Sequence, residues 1–121
     1  MKEYKTLLFD IDGTLLSDVT HTVPQSAIEA IKKAKENGHH CFFCTGRSYF
    51  MTKEISFTGI EDAIIANGAA VVRGGKPELQ KIISSDVVKK TLELIEELGG
   101  GYQIIDWKNG YQNPYTHAMF E

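Results

Sequence analysis

Apolar residues near the start of the chain gather into short runs separated by polar or glycine-containing stretches. Tyr4 to Phe9 is apolar without clear alternation, the pattern of a strand covered on both faces of a parallel sheet. After Pro24, which suits a first helical turn, Ala27, Ile28, Ile31 and Ala34 recur at helical spacing until Asn37-Gly38 stops them. His39 to Cys44 predicts a second strand, Ser48 to Phe57 a second amphipathic helix closed near Gly59, and Asp62 to Ala66 a third strand. Right-handed crossovers would make the three strands parallel neighbours, half of a doubly wound α/β sheet.

Past Ala66 the pattern changes. Asn67-Gly68 predicts a turn, and Ala69 to Arg73 and Glu78 to Ile83 are strand-like, with a hairpin signal at Gly74-Gly75-Lys76-Pro77. Ser84 or Ser85 can cap a helix running through Leu98, with Val87, Val88, Leu92, Ile95 and Leu98 as its apolar positions. Gly99-Gly100-Gly101 ends it; a strand from Gly101 to Trp107 and a turn at Asn109-Gly110 follow.

The candidate chemistry lies where the first strand stops. In Leu7-Leu8-Phe9-Asp10-Ile11-Asp12-Gly13-Thr14-Leu15-Leu16 two carboxylates and a glycine follow the apolar run, and open α/β sheets bind ligands beyond the carboxyl ends of their strands. In extended geometry Asp10 and Asp12 would point to one side and repel unless a cation sat between them, and a hard ion such as Mg²⁺ prefers oxygen ligands of this kind. Gly13 would allow the tight excursion that brings the next residues over the site. A calcium loop also begins Asp-x-Asp-Gly, but its twelfth position needs Glu and here is His21; a plain Asp-Gly turn is the remaining alternative.

At these residues the chain resembles the haloacid dehalogenase superfamily, in particular the Cof-type subclass IIB sugar-phosphate phosphatases. Phe9 to Leu16 is similar to that family's first motif, and Thr45-Gly46-Arg47, closing the second strand, to its second. The resemblance implies a Rossmann-like core in residues 1–66 and the start of a mixed α/β cap in 67–121. It implies that Asp10 attacks phosphorus to form an aspartyl phosphate, and that Asp12 protonates the leaving oxygen and then activates water. Mg²⁺ would be held by Asp10 and the backbone carbonyl of Asp12. Thr45 would bind phosphate through its hydroxyl, with Gly46 in the same loop and backbone N–H groups of the Asp12-Gly13 turn assisting. Arg47 has two readings, a bidentate contact to phosphate or a surface arginine at a helix start. Asn67-Gly68 reads better as a simple turn than as part of the cleft.

The same resemblance calls for a lysine and a Gly-Asp-x-x-x-Asp-type acidic loop after the cap, and neither occurs before Glu121. Asp62 cannot substitute, because it opens its strand roughly 13 Å from the carboxyl end. The expectation is a magnesium-dependent phosphatase of a small phosphorylated metabolite, present as a fragment or a shortened form. The alternative is a non-catalytic phosphate-binding or interaction module derived from one.

Composition narrows the partners. With 13 basic and 16 acidic residues the net charge is −3, which gives no general attraction to nucleic acid or an anionic membrane. No run approaches the roughly 18 apolar residues of a membrane span, and the start lacks the apolar core of a secretion signal, so the expected location is the cytoplasm. Cys41 and Cys44 fall on opposite faces of their strand and read as reduced thiols, not as a redox or zinc pair. His21, His39, His40 and His117 have no mutual spacing of a ligand set. With no later strands to cover it, Tyr4 to Phe9 would be an apolar edge, and a homodimer through that edge is expected.

Overall fold

The computed structural model describes residues 3–119, without the side chains of residues 117–119, so the reading of His117 and the start at Met1-Lys2 lie outside the described residues. Strand β1 (Thr6–Phe9) pairs parallel with β2 (His40–Cys44), and β2 parallel with β3 (Asp62–Ile65), with Leu8 opposite Phe42 and Phe43 opposite Ala63. Helix α1 (Gln25–Glu36) makes the first crossover. Pro24 stands just before its first turn, Lys33 and Lys35 lie in its last turn, and Ile31 is its buried residue.

The sheet continues beyond residue 66. Strands β4 (Ala70–Arg73) and β5 (Lys76–Gln80) form an antiparallel hairpin whose first strand pairs antiparallel with β3, giving one mixed sheet in the order β1-β2-β3-β4-β5. Pro77 is accommodated on the outer strand, beside a register shift at Val71/Val72. The division expected at residue 66 therefore falls within a hydrogen-bonded sheet. Helix α2 (Ser85–Glu97) and a separate two-stranded ribbon, β6 (Gln103–Ile105) with β7 (Gly110–Gln112), follow.

Three expectations are corrected by packing. The segment Tyr49–Thr58 is a 3₁₀ helix broken at Ile55, not an amphipathic α-helix. Its buried residues Thr52, Ile55 and Thr58 are spaced by three, the 3₁₀ period, and the Thr52 and Thr58 hydroxyls donate back to the carbonyls of Tyr49 and Ile55. Gly59, left-handed at φ +78°, closes the segment as predicted. Residues 81–83 are not strand, and Ile82 and Ile83 are exposed. Strand β1 stands at the sheet's edge, as expected, but it is not covered on both faces: Leu8 is 54% exposed, so the face it points to carries no layer there.

The core gathers Ile11 and Leu15 from the loop after β1, Val23, Ile31, Phe43, Ile55 and Ile60, with Ala63, Ile65, Ala70 and Val72 from β3 and β4. Burying Ile11 immediately after Asp10 anchors the loop that carries both carboxylates. Cys41 is buried and Cys44 exposed, both as free thiols, as alternation across a strand requires. Among the described residues no helix is long and apolar enough to cross a membrane.

Candidate active site

Strand β1 ends at Phe9, so Asp10 lies just past its carboxyl end and the chain then turns sharply. Within residues 10–16 the N–H groups of Thr14 and Leu16 bond the Ile11 carbonyl, Leu15 N–H bonds Asp10 and Gly13 N–H bonds Leu16. Gly13 takes φ +73°, and a side chain there would also meet the Asp18 carboxylate at 3.0 Å. Its conformational role holds, but its N–H is already spent on Leu16. Asp18, not anticipated from the motif, is brought against this turn from the following loop.

Asp10 is exposed, and its Oδ2 accepts a hydrogen bond from the Thr14 hydroxyl at 3.4 Å. Asp12 lies past the start of the turn and is also exposed. Its carboxylate is gripped by Arg47, whose Nε and Nη2 donate to its two oxygens at 2.9 and 2.7 Å. The hydrogen bonds from Arg47 hold the Asp12 carboxyl below the ordinary aspartate value of 3.8, against a smaller opposing effect of burial. Arg47 Nη1 also donates to Glu54 at 3.3 Å and to the Met51 carbonyl at 3.5 Å. Its guanidinium is thus committed to two carboxylates, and its side chain is only 17% exposed.

The loop Thr45-Gly46-Arg47 closes β2 beside this turn. Thr45 is buried; its Oγ1 accepts the Arg47 N–H at 3.0 Å, leaving the hydroxyl proton to donate elsewhere. The loop is held from behind by the turn after β3: Ala66 N–H bonds the Arg47 carbonyl and Asn67 N–H the Thr45 carbonyl. Asn67, whose sequence context favours a turn over a place in the cleft, reaches over Gly46, where an added Cβ would stand 3.0 Å from its Oδ1. The Asn-Gly dipeptide signals the turn; only the fold brings its side chain to Gly46. Asp62 opens β3 and accepts the Gly74 N–H across the sheet, far along the chain from the strand ends that carry Asp10 and Thr45.

Oxygen donors that suit Mg²⁺ are present in Asp10 and in the Asp12 carbonyl, which is not among the carbonyls bonded within the turn. Among the described residues no group of three or more His, Cys, Asp or Glu side chains is placed to hold a metal ion. The donor chemistry fits a hard cation, and the donor count is small.

Comparisons with known proteins bear on the family and the fold. Residues 7–120 match the family model described as haloacid dehalogenase-like hydrolase. YkrA of Bacillus subtilis, provisionally named a phosphatase, is 31% identical over 77% of this chain and 36% of its own. The crystal structure of a hypothetical protein from Geobacillus kaustophilus superposes with a TM-score of 0.86 at 28% identity, over 98% of this chain and 48% of that one. BT4131, described as a subclass IIB sugar phosphatase of the same superfamily, gives 0.74 at 30% identity over 96% and 47%. The chain spans about half the length of these solved structures and less of YkrA.

Proposed function

Because the chain belongs to the haloacid dehalogenase-like hydrolases, we propose that it carries the nucleophile-bearing part of a magnesium-dependent, subclass IIB phosphatase. Its substrate is a small phosphorylated metabolite such as a sugar phosphate. The observation that carries this reading is the meeting of Asp10, the Arg47-held Asp12 and Thr45 at the carboxyl ends of two adjacent parallel strands.

Exposed Asp10 acts as nucleophile: its carboxylate oxygen bonds phosphorus as the ester oxygen leaves, forming an aspartyl phosphate. Asp12 gives that oxygen a proton and later takes one from the attacking water. Each Asp12 oxygen keeps a second lone pair beside its bond to Arg47, so the proton is carried there against a guanidinium that favours the charged carboxylate. The Thr45 hydroxyl donates to a phosphoryl oxygen, and Gly46 leaves room for it. Mg²⁺, held by Asp10 and the Asp12 carbonyl, would neutralise charge on the transferring group. With about two protein oxygens of a six-coordinate shell, affinity for the ion alone should be weak and should rise with phosphate present.

Calorimetry with Mg²⁺ and beryllofluoride tests the site: binding heat should appear with both together and vanish in Asp10→Asn. An unchanged signal in that variant would sink the assignment. A second reading, a non-catalytic phosphate-binding module, is favoured by the full engagement of Asp12 with Arg47. Beryllofluoride binding without measurable hydrolysis of an aryl phosphate would select it.

A further inference from the structure

Ala66 and Asn67 are consecutive non-glycine residues with left-handed backbone, φ +49° and +55°. Such strain persists only where the surroundings over-determine it. Here the hydrogen bonds from Ala66 to Arg47 and from Asn67 to Thr45, at 2.9 and 3.2 Å, do so. Glycine would adopt the backbone of position 67 freely. What asparagine adds is a carboxamide laid over Gly46, with Oδ1 3.0 Å and Nδ2 3.5 Å from the point a Cβ would occupy.

Asn67 is exposed and also lines a groove of about 640 Å³. The far walls of that groove come from α2 and from the ribbon at Ile105, Asp106 and Trp107. Thr45 and Asp10 do not line it. Ala66 and Asn67 both bond the Thr45-Gly46-Arg47 loop and both line the groove, and of the two only Asn67 carries a side chain that can hydrogen-bond a ligand. The carboxamide stands against Gly46, one residue from Thr45, and so borders the place where a phosphate ester held by the Thr45 hydroxyl would sit.

We infer that Asn67 is a substrate-recognition residue, whose carboxamide binds a hydroxyl on the carbon next to the phosphate ester of a polyol or sugar phosphate. The inference rests on the phosphatase reading of Asp10, Asp12 and Thr45. A carboxamide offers donors and an acceptor in one plane, so it satisfies a hydroxyl in both senses, and it adds no charge beside an anionic ligand. A lost partner for a hydroxyl at such a site is felt by the hydroxylated ligand and not by phosphate itself.

The test is calorimetry on the 121-residue chain with Mg²⁺, using inorganic phosphate and glycerol 3-phosphate as probes. Asn67→Gly removes the carboxamide at a position where glycine is at ease, so the variant should fold with an unchanged or raised Tm. It should bind glycerol 3-phosphate about 2- to 12-fold more weakly, the size of one net hydrogen bond, and inorganic phosphate within about 2-fold of the unaltered chain. Equal weakening for both probes, or none for glycerol 3-phosphate, overturns the inference. Asp10→Asn should weaken both probes. If it weakens neither, or if the unaltered chain binds neither, the phosphatase reading falls and the role of Asn67 with it, a result distinct from indifference to Asn67→Gly alone.

Discussion

The two nitrogens that Arg47 sets against Asp12, at 2.9 and 2.7 Å, favour the charged carboxylate and fix its plane. Because the folded value lies below the ordinary 3.8, the pair stabilises the fold above that pH, and the contribution is lost as pH falls from 3.8 through the depressed value. The Asp12 side chain is 55% exposed, so solvent screening limits the contribution to about 1 kcal/mol or less. Arg47→Met should therefore lower Tm at neutral pH, and the gap should narrow in acid; a gap that widened in acid would contradict the sign. Asp10 and Asp12 stood out in the sequence because two carboxylates follow an apolar strand, and Thr45 only through the family resemblance. That Arg47 meets Asp12 was not legible, because 35 residues separate them and a guanidinium suits phosphate and carboxylate equally well.

At the scale of elements, stop signals were easier to read than helix type. Gly38 and Gly59 end their segments at φ +89° and +78°, conformations that side chains resist. A Cβ at Gly38 would also fall 2.6 Å from the Tyr4 ring, which would have to shift. Gly38→Ala should thus cost the backbone strain, about 1–2 kcal/mol, and the displacement of that ring besides, read as a lower urea midpoint at unchanged slope. The 3₁₀ segment misled because Phe50, Met51 and Ile55 suggest an amphipathic helix, whereas the core selects positions three apart. Residues 81–83 misled because apolar side chains there were read as strand, although β5 ends at Gln80.

For the whole molecule, the consequence of the strand order is an edge at β1. Its unpaired backbone groups and exposed Leu8 invite another chain. We propose that the 121-residue chain self-associates through this strand. Light scattering at micromolar concentration should report a dimer or larger, and Leu8→Lys should shift it toward monomer; a monomer with β1 amides protected from hydrogen exchange would refute the edge argument. We also propose that the change from core to cap falls after β5, near residues 81–84, since β4 and β5 are hydrogen-bonded into one sheet with β1, β2 and β3.

Local chemistry in the sequence determined the strand-helix-strand rhythm, the turn at Gly13 and the opposite faces of Cys41 and Cys44. Each depends on near neighbours along the chain: periodicity, backbone freedom and side-chain type act over a few residues. Tertiary structure alone decided that the hairpin extends the core sheet, that the 49–58 segment winds as 3₁₀, that Arg47 holds Asp12 and that Asn67 covers Gly46. Those outcomes depend on which distant backbones and side chains come to lie side by side. Packing and long-range hydrogen bonding settle them only once the whole sheet has formed.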